Sequence, residues 1–225
     1  MNKTVITEEL SIVVVARNHN PTILNPDFLK YNEIVPLDWE LAGPPVCVDL
    51  MAQVTYANSV KIVSQFDKVI FTETLAEKET KDVSIPKIAK RYIETLPHVE
   101  YRAVGINLKG HVIFQDEAAI QKFIVETLLA PGPWQQFGEA KPKAGIKLVY
   151  VIRGCQLSLT VEENKLQLPD KILPVALFSA NFHRDLTGEN KKQRLDHLFK
   201  SIDNWENDLK TFKELVNEKF LKSLE

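Results

Sequence analysis

The clearest pattern along the chain is an alternation of apolar and polar residues, which predicts β-strands. In residues 101–114 one parity carries Val104, Ile106, Leu108, Val112 and Phe114, and the other carries mostly small or polar side chains. A period of two predicts a strand with one buried face. Gly110 stands where an apolar residue is due, and an unbroken strand of about 46 Å would be unusually long. We therefore expect a bulge, a bend or a hairpin turn at Gly110.

The remaining strand patterns form two groups. The first group is a β-branched run and a meander of three strands, at 11–16, 46–57, 59–66 and 68–75. The second group is a meander of three strands, at 146–152, 155–161 and 173–182. Short polar turns separate the strands within each group, which favours antiparallel pairing.

Helical periodicity predicts further elements. Residues 84–97 carry an apolar stripe between Ser84 and Pro97, and a second helix starts at Asp116 as N-cap. Residues 27–35 fit either one or two helical turns or an extended connector. A long helix is expected from about Asn190 to the end of the chain.

The long C-terminal helix carries a repeated apolar stripe. Four of its apolar residues are candidates for an interface between subunits: Trp205, Leu209, Phe212 and Val216. The stripe either packs on the protein's own sheet or pairs with a second chain. Its width favours burial within a domain, whereas its apolar area near the end favours a dimer.

Together these elements predict an α+β fold. We expect two mainly antiparallel meander-and-helix halves that share a core and are closed by the long C-terminal helix. The 225 residues are enough for one domain. The similar outlines of residues 1–114 and 115–225 leave open that the two halves are pseudo-repeats.

Composition and charge limit the classes of partner that the protein is expected to bind. The net charge is −2, and 44% of the residues are apolar, so no broad basic field predicts nucleic-acid binding. The N-terminus lacks a secretory apolar core, and no segment approaches the length of a membrane span. We therefore expect a cytoplasmic protein without a membrane partner. Cys47 and Cys155 lie in apolar runs, which predicts two buried, reduced thiols.

Motifs for catalysis and metal binding are incomplete. None of the five histidines lies three or four residues from another, so no helical metal pair is predicted. No glycine-rich nucleotide motif or nucleophile elbow occurs. The tripeptide His183–Asp185 matches part of a kinase catalytic loop but lacks its companion motifs. We expect no cofactor and no metal.

Four polar residues remain as candidate ligand contacts. Asn18 and His19 follow the first strand, where they form either a turn or a binding site. Asn107 and His111 share the wetter face of the 101–114 strand. A half-exposed sheet surface is the simpler interpretation of the second pair, and a base beside an amide donor is the alternative.

Two segments resemble an uncharacterised, sporadically distributed bacterial protein family. The strand "YRAVGIN" is similar to that family's "G-[LIV]-R-Y-x-N" motif, with Gly105 and Ile106 matching and Asn107 in place of Arg. The helix that begins "RLDHLF" is similar to its closing "L-D-x-L-H" motif, with Phe199 in place of His. The resemblance covers the latter half to two-thirds of the chain and implies no catalytic activity.

The sequence therefore predicts a non-enzymatic binding or interaction protein that associates with itself, most simply as a homodimer. The alternative is a small-ligand-binding protein or a small enzyme, with a pocket between the two sheet halves.

Overall fold

A computed structural model describes residues 3–76 and 78–222, which form one antiparallel sheet with helices. The nine strands run in the order β2-β3-β4-β5-β1-β6-β9-β8-β7. Their bounds are β1 Ile6–Arg17, β2 Val46–Val48, β3 Met51–Thr55, β4 Val60–Gln65, β5 Lys68–Thr74, β6 Glu100–Ile113, β7 Ile146–Ile152, β8 Cys155–Gln167 and β9 Ile172–Asp185. The predicted α+β class is confirmed.

The helices lie between the strands in sequence. They are α1 Pro26–Tyr31, α2 Ile85–Thr95, α3 Glu117–Gln121, α4 Lys191–Asp203 and α5 Trp205–Glu214. Two π-helical segments, Lys122–Thr127 and Leu215–Leu221, extend α3 and α5. Within residues 3–76 and 78–222, no helix is long and apolar enough to cross a membrane.

The core lies on one face of the sheet. The apolar parity of β1 (Leu10, Ile12 and Val14) has no exposed surface, and α2 packs over β1 and β5. Helices α4 and α5 contact β6, and α3 contacts β9. In the described part of the chain the opposite face carries no helix, and its side chains are mostly polar, small or partly exposed, although Val63 and Val175 are buried there.

The irregularity expected at Gly110 lies in the neighbouring strand. Strand β6 runs unbroken through Gly110, and the register shifts in β1 between Thr7 and Glu9, directly opposite. A Cβ at position 110 would lie 2.7 Å from the Ile6 carbonyl oxygen. The glycine is therefore needed because the bulged strand approaches closely.

Residues 46–57 form a hairpin, so the prediction of one strand there is wrong. Strand β2 pairs with β3, and Val48 lies opposite Met51 across a two-residue turn. The turn contains Asp49 and Leu50, so it has one turn-favouring residue but lacks the Asn-Gly or Asp-Gly pair that marks a two-residue hairpin. Because β2 is a short edge strand, Cys47 is exposed and the prediction that it is buried is wrong, whereas Cys155 is buried as predicted.

The C-terminal helix is divided at Asn204, which separates α4 from α5. The amide Nδ2 of Asn204 donates a hydrogen bond to Asp208 Oδ1 at 3.1 Å. Asp208 in turn accepts two hydrogen bonds from Arg184 of β9. A polar network therefore lies at the division, beneath the start of α5.

Candidate functional site

Asn18 and His19, the first two of the four predicted ligand residues, lie in different surroundings. Asn18 is exposed in the turn after β1 with a positive φ of 54°. His19 is buried, with its Nδ1 3.0 Å from Ser64 Oγ and its Nε2 3.0 Å from Tyr92 Oη. Burial lowers the pKa of His19. His19 therefore ties β4 to α2 inside the core and does not face a ligand.

Asn107 and His111 lie on the helix-free face of the sheet. The Asn181 side chain of β9 donates a hydrogen bond to Asn107 Oδ1. The Nδ1 of His111 lies 2.7 Å from Glu8 Oε1, but neither ring nitrogen is aligned for a hydrogen bond. The structure therefore separates the four candidates: His19 is in the core, Asn18 is in a turn, and the other two are on the opposite face.

The predicted interface stripe of the C-terminal helix is part of the chain's own core. Trp205, Leu209, Phe212 and Val216 are all buried against the sheet and neighbouring helices. The stripe thus packs within the chain, the first of the two alternatives. Self-association would need another surface.

The edge strand β7 offers such a surface. Among the described residues it pairs with β8 alone, and its seven residues, IKLVYVI, are apolar at every position except Lys147. On the helix-free face Val149 is 54% exposed and Val151 is 85% exposed. On the other face the four remaining residues are partly buried against the edge of the core. A long apolar edge strand is a template for pairing with another strand.

The hairpin turn fixes which backbone groups of β7 face outward. Arg153 and Gly154 have φ values of 48° and 77°, and Ile152 lies opposite Cys155. Residues that flank such a two-residue turn exchange hydrogen bonds, and hydrogen-bonded pairs alternate along an antiparallel ladder. The N–H and C=O groups of Lys147, Val149 and Val151 therefore point to the free edge.

The opposite edge of the sheet is less suited to pairing. Strand β2 has three residues, and the loop from Leu41 to Pro45 reaches it through turns and two prolines. Short edge strands and nearby prolines limit strand addition. The sequence analysis missed β7 as a surface because its apolar pattern alone is equally typical of an interior strand.

Metal-binding potential is low in the described residues, where no group of three or more His, Cys, Asp or Glu side chains could hold an ion. Comparison with known proteins adds no relative: no protein-family model matches the chain, and no curated protein matches it.

Proposed function

We propose that this protein is a non-enzymatic interaction protein that forms a homodimer by pairing the β7 strands of two copies. The observation that carries the proposal is the exposed edge of β7, seven residues long and apolar except at Lys147. The absence of a complete catalytic motif in the sequence is consistent with a binding role. A second copy is the proposed occupant because the strand is complementary to itself.

The self-complementary register is antiparallel and centred on Val149. In that register Val149 lies opposite its own copy, and Lys147 lies opposite Val151 of the second copy. The outward N–H and C=O groups then meet one another, for about six hydrogen bonds between the edges. No like charges face each other, and Leu148 lies opposite Tyr150 on the core side.

The interface is small, so we expect a weak dimer. One strand from each copy buries less than the roughly 1,600 Å² of a standard stable interface. Its favourable terms are the burial of Val149 and Val151 and the satisfaction of backbone groups that water otherwise solvates. Together these terms predict a dissociation constant in the micromolar range.

A charge-swap experiment tests the register. Val151→Lys places a new ammonium group opposite Lys147 of the second copy, so like charges face each other and the dimer should dissociate. Adding Lys147→Glu to that variant creates two Glu–Lys pairs and should restore the dimer. Sedimentation equilibrium across micromolar concentrations gives the dissociation constants, and circular dichroism checks that each variant is folded.

The matched control is Phe137→Lys, which replaces an 88% exposed aromatic residue outside β7. This control should dimerise like the wild type. A wild type that stays monomeric at high micromolar concentration would overturn the proposal. So would a Val151→Lys variant with wild-type affinity, or a double variant that fails to recover while remaining folded.

We also propose that the single domain is built from two related halves. Strands β1 and β6 are neighbours at the centre, with β5 to β2 on one side and β9 to β7 on the other. That arrangement supports a boundary before β6, earlier than residue 114. A cytoplasmic location, and membership of the sporadically distributed bacterial family, remain predictions of the sequence.

A further inference from the structure

A cavity of about 300 Å³ lies between the β7–β8 hairpin, β9 and the junction of α4 with α5. Its volume is at the lower end of the range typical of small-molecule sites. The hairpin contributes Arg153, α4 contributes His197 and Lys200, and β9 contributes Arg184. The cavity therefore collects four basic side chains from three parts of the fold.

One of these basic residues is already neutralised. Arg184 donates two hydrogen bonds to the carboxylate of Asp208, at 2.8 and 2.6 Å. Their side chains are only 12% and 5% exposed. Asn204 donates a third hydrogen bond to Asp208. The floor of the cavity is thus a satisfied ion pair with no net charge.

Two other cations have no acidic partner in the described residues. Arg153 and Lys200 are exposed, and neither forms a salt bridge or a side-chain hydrogen bond there. After the internal pairing of Arg184, the cavity keeps an excess of two positive charges. A charged group at a cavity mouth that lacks an internal partner favours a ligand of opposite charge.

His197 adds a further hydrogen-bond donor, its Nε2. Its Nδ1 accepts a hydrogen bond from the Thr187 backbone N–H at 3.0 Å. Because an amide N–H can only donate, Nδ1 carries no proton, and the neutral ring has its hydrogen on Nε2. That nitrogen is then a donor, as are both cations.

The apolar wall adds no opposing charge. Ile152 and Phe182 line the cavity together with Cys155. Burial raises the pKa of the Cys155 thiol, so it is neutral near pH 7. The cavity thus combines a donor-rich, cationic side with a neutral apolar side, as sites for small organic anions do.

We propose that this cavity binds a small organic anion. Arg153, Lys200 and the Nε2 hydrogen of His197 hold an anionic oxygen head, and the apolar body lies against Ile152. The head is a carboxylate or a phosphate monoester, since both present oxygens to these donors. Ile152 at the end of β7 lines this cavity, whereas the outward-facing residues of the proposed dimer edge, Lys147, Val149 and Val151, do not.

Titration of the ¹⁵N-labelled wild type with four probes tests the proposal. The probes are phenyl phosphate, benzoate, neutral benzyl alcohol and inorganic phosphate. We expect the amide signals of Gly154 and Lys200 to shift with at least one of the two organic anions and not with benzyl alcohol. Whichever anion binds more tightly identifies the head group.

Charge-removing variants locate the binding site. Arg153→Asn suits the positive φ of 48° at this position, and Lys200→Gln keeps most of the length of the side chain. Each should weaken binding of the organic anion about tenfold. Lys192→Gln, on the exposed surface of α4, is the matched control and should bind like the wild type.

The proposal would be overturned if neither organic anion shifted the amide signals, or if benzyl alcohol shifted them equally. Binding of inorganic phosphate alone would also overturn it, because the cavity would then hold an adventitious ion only. Undiminished affinity in a folded Arg153→Asn/Lys200→Gln variant would also overturn it. Loss of binding in Lys192→Gln to the same degree would show general attraction to the surface and not a site.

Discussion

At the scale of single residues, His19 shows how a polar residue at a strand end becomes part of the core. Its two ring nitrogens lie 3.0 Å from hydroxyl groups of Ser64 and Tyr92, which are distant in sequence. Turn chemistry around Asn18 was predictable from the sequence. The hydroxyl partners were not, because they depend on how β4 and α2 meet the end of β1.

The buried imidazole predicts a pH-dependent stability. Burial holds the pKa of His19 below its usual value of 6.5, so the unfolded chain takes up a proton that the folded chain excludes. Stability should therefore fall as the pH drops below about 6.5. His19→Gln removes this titration, so the loss of stability between pH 7.5 and pH 5 should be smaller than in the wild type.

Urea unfolding followed by tryptophan fluorescence at pH 7.5, 6 and 5 measures the effect. At pH 7.5 His19→Gln should cost about 1–3 kcal/mol, because a buried hydroxyl loses its partner. The control is His98→Gln, at an exposed histidine, which should keep the wild-type pH dependence. An unchanged slope in His19→Gln would show that the imidazole does not govern this pH range.

At the scale of elements, the β1–β6 pair depends on Gly110. A Cβ there would lie 2.7 Å from the Ile6 carbonyl oxygen and 2.9 Å from Val5 Cγ2. Backbone cannot move away as a flexible side chain can, so Gly110→Ala should destabilise the fold by about 1–3 kcal/mol. Thermal and urea unfolding measure the loss.

Gly43→Ala is the matched control for Gly110→Ala, because no atom lies within 4 Å of a Cβ at position 43. It should leave stability close to that of the wild type. If the two alanine variants unfolded at the same urea concentration, the close approach of the bulge to β6 would carry no energetic cost.

At the scale of the whole molecule, the alternation of apolar residues was enough to predict an antiparallel sheet with one buried face. The order of the strands was not predictable in this way. Strand β1 lies between β5 and β6, and these contacts join residues more than fifty positions apart in the chain. The β7 edge and the cavity beside α4 depend on that order, since it decides which strand is outermost and which helix covers it.

The edge position of β7 predicts a hydrogen-exchange pattern that alternates along the strand. Leu148, Tyr150 and Ile152 bond to β8 and should be protected at every concentration. The amides of Lys147 and Val149 point to the free edge, so in the monomer they should exchange rapidly. In the proposed dimer they bond to the second copy and become protected.

Amide exchange measured by nuclear magnetic resonance at low and high protein concentration therefore separates the two states within one strand. Protection should rise with concentration at the outward-facing amides of β7, such as Lys147 and Val149, and Val151→Lys should abolish the rise. Concentration-independent exchange at both amides would contradict dimerisation through β7. Rising protection in β2 would instead place the contact at the opposite edge. The backbone groups of an outer strand become protected when a second chain pairs with that strand.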